Sequence, residues 1–183
     1  MIELAITTDH IRASLTAYLA RYAEEEPELE FAIGLIEAGA DLTSRKEFRG
    51  HVTAGAILAD PDGRVLHIHH LATGKWLLPG GHLESVDSTL LEAAGRELTE
   101  ETGIAPDAIT PVGDSPLHID VHPIPANPSK EEPDHQHIDF RFLFRTTADI
   151  GPLQTEEIGD AAWRSIDSLH DERLRRRVAR ALC

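Results

Sequence analysis

The spacing of apolar residues predicts helices at the start of the chain, ahead of a run of strands. Apolar residues recur at near-helical intervals after Thr8 or Asp9, either of which can cap a helix. They are Ile11, Leu15, Leu19 and Tyr22. A second helix is expected beyond Pro27, and Gly39 can end it. We therefore expect residues 1–50 to form a helical extension that covers one side of the core, with a lid or a homodimer contact as the alternatives.

Strands are expected from residue 51 onward. Segments 51–58 and 65–70 flank Asp60-Pro61-Asp62-Gly63, a sequence that favours a tight turn. The second of these strands carries histidines at positions 67, 69 and 70. Because no cysteine or partner at a fixed spacing accompanies them, we interpret them as surface or pocket-wall residues and not as a zinc site.

Two further segments, 117–122 and 135–145, alternate between apolar and polar residues with a period of two. Paired as antiparallel strands, they would have one apolar face and one face rich in His, Asp and Arg. The polar residues are His118, Asp120, His122, His135, His137, Asp139 and Arg141. This face is either a water-exposed side of the sheet or the wall of a substrate cleft. In a cleft, Arg141 is the first candidate to bind a phosphate, because a guanidinium donates two parallel hydrogen bonds. Asp139 and His137 would be substrate contacts beside it.

Segment 80–104 predicts a glycine turn followed by a helix whose two ends are marked. Thr89 and Glu92 form a capping box at its start. Gly103 can take the left-handed conformation that ends a helix. An apolar stripe with the helical period lies between them. Its members are Leu90, Leu91, Ala94 and Leu98.

Three glutamates fall on the side of this helix away from the apolar stripe. Glu97 and Glu101 are four residues apart, and Glu100 borders the same patch. Like charges at this spacing repel by roughly 0.2–0.5 kcal/mol per exposed pair. A divalent cation that prefers hard oxygen ligands, such as Mg²⁺, would make the cluster favourable. The simpler alternative is a solvated acidic face, and the flanking residues decide between the two.

The residues around the glutamates resemble a known motif. Residues 96–104 read Arg-Glu-Leu-Thr-Glu-Glu-Thr-Gly-Ile and match the second half of the Nudix box, Arg-Glu-apolar-x-Glu-Glu-x-Gly-apolar. The first half departs from the box, since Asp87 stands where Glu is expected and eight residues, not seven, separate it from Arg96. A loop can absorb the extra residue, whereas an insertion within the helix would rotate the glutamates by about 100°. We therefore keep the metal-site prediction and leave the role of Asp87 open.

The resemblance to Nudix hydrolases implies a fold and a reaction. The fold is α/β, a Nudix-type α/β/α sandwich with a mixed sheet over residues 51–183, preceded by the helical extension of residues 1–50. The reaction is Mg²⁺-dependent hydrolysis of a pyrophosphate bond in a nucleoside diphosphate linked to another moiety. This class includes ADP-ribose, sugar nucleotides and nucleoside triphosphates. Mn²⁺ is the alternative metal, and the exact substrate stays open.

The same resemblance assigns roles to individual residues. Glu97 and Glu101 would bind the metal, and Glu100 would be a third ligand or the base that activates water. The backbone carbonyl of Gly80 would be a further ligand. Arg96 belongs to the catalytic set as a partner that orients a box glutamate.

A second acidic segment lies near the end of the domain. Glu156 and Glu157 occupy a loop bounded by Gly and Pro, ahead of Trp163. This order resembles the ending of many Nudix domains, in which a loop glutamate completes the metal site or acts as the base. Either residue is a candidate for that role.

Two other functions fit part of the evidence. A Nudix-like module that senses a nucleotide without chemistry would not need the box glutamates, and all three are present. An isomerase of isoprenoid diphosphates shares the fold, but its best-known type needs a cysteine in the active site. The only cysteine in this chain is Cys183, the last residue.

Charge and composition narrow the set of partners. The net charge of −15 argues against a general nucleic-acid surface, which needs a basic stripe. An anionic substrate therefore needs metal and local positive charge to approach. A basic amphipathic helix is expected at 170–183, but it lacks the interleaved aromatics of a nucleic-acid site. With no leader-like segment and no apolar run near 18 residues, we expect a soluble, cytoplasmic protein without a membrane partner.

Overall fold

Four α-helices flank one eight-stranded sheet in residues 5–183, the part of the chain that this computed structural model describes. The helices are α1 (Thr8–Arg21), α2 (Glu26–Glu37), α3 (Leu90–Thr102) and α4 (Glu172–Leu182). The strands are β1 (His51–Ala59), β2 (Val65–His70), β3 (Lys75–Leu77), β4 (Gly80–His82), β5 (Ile109–Pro111), β6 (His118–Ile124), β7 (His135–Thr146) and β8 (Ile158–Arg164).

The sheet is mixed because β1 and β7 run parallel while the other paired strands run antiparallel. Its main order is β3-β2-β1-β7-β5, with β4 paired to β1, β6 to β7 and β8 to β2. The parallel pair extends from His51 opposite His137 to Ala59 opposite Arg145. This long pairing places the start of β1 beside the start of β7, although the two segments are far apart in the chain.

The strands expected from the alternating pattern are present. β6 and β7 pair antiparallel, with Ile119 opposite Phe140 on one face and Asp120 opposite Asp139 on the other. The pattern does not predict β3 and β4, because each has only three residues and two of those in β4 are glycines. The pattern also does not predict β8, which follows the loop of Glu156 and Glu157 and contains Trp163.

Two apolar clusters lie on opposite faces of the sheet, because neighbouring residues of a strand point to opposite sides. The larger cluster packs α1, α2 and α3 against residues such as Val52 and Phe140. The smaller one packs Leu174 and Val178 of α4 against Ile57. The sheet therefore lies between helices, which confirms the sandwich with a mixed sheet.

The N-terminal helices differ in detail from expectation. The cap of α1 is Thr7 and not Thr8 or Asp9, since extended Thr7 accepts a hydrogen bond from the amide of His10 at 3.2 Å. α2 runs through Gly34 and ends ahead of Gly39, which has a φ of +71°. In residues 5–183, every helix is too short or too polar to cross a membrane.

Candidate active site

α3 is held in place by interactions at both of its ends. At its start, Thr89 Oγ1 accepts a hydrogen bond from the amide of Glu92 at 3.1 Å. The Glu92 carboxylate in turn accepts from the amide of Ser88, one residue before the position that a standard capping box uses. Gly103 ends the helix with a φ of +67°. These interactions define where the helix begins and ends. The glutamates of the helix face the glycine turn at β4.

The three glutamates lie at different depths. Glu101 is only 4% exposed, and its Oε2 accepts a hydrogen bond from the amide of Gly80 at 2.9 Å. The carboxylate of Glu97 lies against Gly81, where a Cβ would come within 2.6 Å of it. Glu100 is exposed. A glycine at position 81 therefore makes room for the Glu97 carboxylate beside β4.

Burial changes the acidity of the two inner glutamates. It raises the pKa of Glu101 from 4.5 to about 8, and the charges of Glu97, Glu157 and Glu100 act in the same direction. Burial also raises the pKa of Glu97, to about 7. Two carboxyl groups whose pKa values are raised this far are typical of a metal-binding or catalytic site.

Arg96 connects the helix to the loop that precedes it. Its Nε and Nη2 donate to the two carboxylate oxygens of Asp87 at 2.9 and 3.0 Å. Its Nη1 donates to Glu97 at 3.0 Å and to Glu100 at 3.1 Å, while Nη2 also donates to the carbonyl of His82. The N–H donors of Arg96 are thus engaged by three carboxylates and one carbonyl. Arg96 is therefore placed to orient these carboxylates.

Asp87 is buried at the position where the Nudix box has Glu. Besides Arg96, it accepts a hydrogen bond from the amide of Glu84 at 2.7 Å, and its own amide donates to the Glu84 carbonyl. α3 then runs unbroken from Leu90 to Thr102. Asp87 thus lies in the loop before an unbroken helix, and the assignment of the extra residue to this loop stays a prediction.

The structure distinguishes the two glutamates of the later acidic segment. Glu156 and Glu157 are both exposed in the loop before β8. The charge of Glu157 contributes to the raised pKa of Glu101, whereas Glu156 is not among the main contributors. Glu157 is thus the one with electrostatic influence on the box glutamates.

The polar face of β6 and β7 is a connected network. Arg141 Nε donates to Asp139 at 2.8 Å, and Nη2 donates to Asp120 at 3.2 Å. Thr53 Oγ1 donates to Asp139 at 3.2 Å. A hydrogen bond from His122 lowers the pKa of Asp120 to about 2, and Arg141 adds to the effect. The guanidinium is therefore already paired with two carboxylates.

This network is partly covered and is not a simple water-exposed side of the sheet. His118 is 3% exposed, and its Nε2 lies 3.7 Å from Asp171, the cap of α4. Arg141 as a phosphate contact stays a prediction, and the nitrogen that binds no carboxylate is Nη1, which lies 3.4 Å from His118 Nδ1.

Five histidines gather where β1, β4, β6 and β7 meet. The ring centroid of His51 lies 4.9 Å from those of both His135 and His137. His82 lies 5.2 Å from His51 and from His137, and His122 lies 5.8 Å from His137. Burial lowers the pKa of His82 to about 4 and that of His137 to about 2.

The sequence indicates only part of this cluster, because its alternating pattern places His122, His135 and His137 on one polar face but not His51 beside them. The spacing of the β2 histidines is the more visible signal, and of these His67 is buried and its Nδ1 donates to the carbonyl of Val65 at 3.3 Å. The available signal was a histidine at the start of both β1 and β7. Only the parallel register, with His51 opposite His137, brings these side chains together.

Comparison with known proteins identifies the family. The family model described as NUDIX domain matches residues 49–182. This chain belongs to the NUDIX domain family. The Nudix chain is 33% identical over 126 residues to a "Probable DHNTP pyrophosphohydrolase" of Lactococcus lactis subsp. cremoris (strain MG1363), a match that covers 66% of this chain and 70% of that protein. It is 47% identical over 60 residues to the phosphatase NudJ of Escherichia coli (strain K12), covering 32% of this chain and 38% of NudJ.

Solved structures agree with this assignment. A hydrolase of the NUDIX family from Clostridium perfringens superposes with a TM-score of 0.53 at 24% identity, covering 72% of this chain and 95% of that one. The E. coli dihydroneopterin triphosphate pyrophosphohydrolase gives 0.53 at 15% identity, with 70% and 92% covered. At these identities the likeness shows the fold alone. Together with the family match, it confirms that the chain is an enzyme of the Nudix hydrolase type.

Proposed function

We propose that this Nudix hydrolase cleaves a pyrophosphate bond in a nucleoside diphosphate linked to another moiety, with Mg²⁺ or Mn²⁺ held by α3. One observation carries the proposal: the buried carboxyl group of Glu101 and that of Glu97, whose side chain is only 14% exposed, lie together at the Gly80–Gly81 turn. Burying a carboxylate is costly unless a cation or a proton neutralises it. A divalent cation would neutralise both.

The donor set fits a hard divalent ion. Carboxylate and carbonyl oxygens are the ligands that Mg²⁺ prefers. Glu97 and Glu101 would hold the ion, with the Gly80 carbonyl and Glu100 as further ligands. A divalent cation bound there would neutralise charge on the diphosphate oxygens and make water more acidic.

The remaining residues orient the metal-binding carboxylates or accept a proton from water. Arg96 holds the carboxylates of Glu97 and Glu100 through one nitrogen, Nη1. Glu100 and Glu157 are both exposed, so either can reach water and accept a proton from it. The influence of Glu157 on Glu101 favours it over Glu156 as the loop glutamate of the site. Arg141 and Asp139 remain the proposed substrate contacts on the neighbouring polar face.

The relatives help to choose substrates for the test. One relative, 33% identical, is named a probable DHNTP pyrophosphohydrolase. Dihydroneopterin triphosphate therefore belongs on the panel with ADP-ribose, a sugar nucleotide and the nucleoside triphosphates. These compounds share a diphosphate unit and differ in what is attached to it.

The experiment measures the release of phosphate, pyrophosphate and nucleotide from this panel with and without Mg²⁺ or Mn²⁺. We expect metal-dependent turnover of at least one compound by the wild type. Glu101→Gln should reduce kcat by more than about 100-fold, because it removes a buried metal ligand. Glu92→Gln is the matched control on the same helix, since its amide oxygen can still accept from Ser88.

Metal-independent turnover, or full activity of Glu101→Gln, would contradict the proposal. An absence of turnover with every compound, combined with nucleotide binding, would favour the sensing module instead. Circular dichroism and thermal unfolding of each variant show whether a lost activity reflects a lost fold.

A further inference from the structure

We propose that His51, His135 and His137 form a second metal site, for a divalent transition-metal ion of the Zn²⁺ type. One ligand nitrogen of each residue lies within 4.8 Å of the other two. In residues 5–183 this is the one group of three His, Cys, Asp or Glu side chains that meets this spacing. The site uses none of the α3 glutamates, so it is independent of the proposed hydrolysis.

Hydrogen bonds to the backbone orient two of the three rings. His51 Nδ1 lies 3.2 Å from the carbonyl of Glu47, and His135 Nδ1 lies 2.8 Å from the carbonyl of Pro133. A carbonyl only accepts, so each Nδ1 carries the proton and each Nε2 presents a lone pair. Metal-binding histidines are commonly held in this way, by donation from the other ring nitrogen to a carbonyl.

The lone pair of His51 has no partner. His51 is 1% exposed, and in the described part of the chain its Nε2 is buried without a hydrogen bond. A buried polar atom without a partner is uncommon and destabilises the folded protein. A cation at the centre of the three rings would give this nitrogen its partner.

The spacing of the nitrogens suits a small ion. His135 Nε2 and His137 Nε2 are 3.2 Å apart, in a hydrogen bond that His137 donates and that a bound ion would replace. In a tetrahedral zinc site with Zn–N distances of about 2.0–2.1 Å, two ligand nitrogens lie about 3.3 Å apart. Two of the three ligands therefore already have the separation of a bound site, and the nitrogen of His51 lies within 4.8 Å of both.

The chemistry of the donors favours zinc over magnesium. Neutral imidazole is a good ligand for Zn²⁺, Cu²⁺ and Ni²⁺, whereas Mg²⁺ takes oxygen. Three protein ligands leave a fourth tetrahedral position for water or another ligand. His82 lies against the cluster and two residues from Gly80, so an ion here would adjoin the glycine turn without sharing its ligands.

The test measures Zn²⁺ binding to tag-free protein by competition with a chromophoric chelator, in a buffer with millimolar Mg²⁺. All proteins carry Cys183→Ser, because the exposed terminal thiol could itself bind zinc. The wild-type background and Glu101→Gln should each bind one Zn²⁺ with the same affinity. His135→Ala and His137→Gln should weaken binding by more than about 10-fold. His69→Gln, on β2, is the control and should leave the affinity unchanged.

Two further measurements keep the proposal testable if a variant is unstable. Co²⁺ bound in place of Zn²⁺ should give the visible absorption of a tetrahedral site in the wild type and not in His137→Gln. Zn²⁺ should also raise the Tm of the wild type, because only the folded state brings the three ligands together. No binding at micromolar Zn²⁺, or binding that His135→Ala and His137→Gln leave intact, would overturn the proposal. Binding lost in Glu101→Gln would equally overturn it, by assigning the zinc to α3.

Discussion

At the scale of single residues, the site depends on where two carboxyl groups are placed. Glu101 accepts a hydrogen bond from Gly80, and Glu97 occupies the space that Gly81 leaves open. Burial raises the pKa of both carboxyl groups into the neutral range. Without metal, a proton neutralises Glu101 while Arg96 pairs with Glu97, and a bound ion would replace the proton.

The raised pKa of the buried Glu101 carboxyl makes the stability of the protein depend on pH, and it defines the direction of that dependence. The folded protein holds the Glu101 proton more tightly than the unfolded chain, whose pKa is 4.5. The contribution of that proton to stability is fully present below pH 4.5 and is lost as the pH rises through about 8. In EDTA, the Tm of the wild type should therefore fall relative to that of Glu101→Gln across this range. Mg²⁺ should raise the wild-type Tm most at pH 8.

Thermal unfolding between pH 5 and 8.5, with EDTA or with Mg²⁺, measures both effects. Glu92→Gln should follow the wild type, because Glu92 is exposed. If wild type and Glu101→Gln keep a constant difference in Tm over this range, the buried carboxyl does not titrate as described.

At the scale of elements, the loop between β4 and α3 is built around Arg96 and Asp87. Both carboxylate oxygens of Asp87 accept from the guanidinium, and a third hydrogen bond ties Asp87 to the amide of Glu84. The short acidic side chain of this loop thus reaches Arg96 on α3 with both of its oxygens.

Asp87→Ala should lower the free energy of unfolding by about 3 kcal/mol, because it leaves a largely buried guanidinium without its main partner. It should also lower kcat, since Arg96 positions Glu97 and Glu100. Urea unfolding and steady-state kinetics measure the two effects. Asp107→Ala, at an exposed position with no such partner, is the control. A wild-type kcat in Asp87→Ala would show that Arg96 needs no anchor in the loop.

The sequence predicted the elements that local interactions determine. α3 has its cap, its apolar stripe and its terminal glycine within one continuous segment, so Thr89, Leu98 and Gly103 identify it without a structure. The alternating pattern of β6 and β7 likewise predicts which of their side chains lie on the apolar face of the pair and which lie on the polar face. The histidine cluster could not be predicted, because His51 meets His137 only through a parallel pairing between distant segments. The carboxylate partners of Arg141 also depend on the register of β6 and β7.

At the scale of the whole molecule, a buried ion pair joins the N-terminal helices to α4. Glu25 is 1% exposed and is paired with Arg177 of α4. The same guanidinium donates to the hydroxyl of Tyr18 at 2.8 Å and lies over the ring of Tyr22, 3.4 Å from its centroid. The N-terminal helices are therefore attached to the domain by polar contacts in addition to the shared apolar core.

Arg177→Met should destabilise the protein by about 3–5 kcal/mol, because it takes the hydrogen-bonded cation away from buried Glu25 and leaves only Arg173, 3.8 Å away. The double variant with Glu25→Gln should recover part of this loss, which a double-mutant cycle in urea would measure. Arg176→Met is the matched control, since the Arg176 side chain is 71% exposed and only approaches the exposed Glu172. Equal losses of unfolding free energy in Arg176→Met and Arg177→Met would contradict this role of the ion pair.

The most direct measurement for the whole account is the rate of pyrophosphate-bond hydrolysis at saturating Mg²⁺ in wild type, Glu101→Gln and Glu92→Gln. The account predicts metal-dependent turnover by wild type and Glu92→Gln, and a loss of more than about 100-fold in folded Glu101→Gln. Turnover by Glu101→Gln at the wild-type rate would show that the buried carboxyl of α3 is not part of the catalytic metal site.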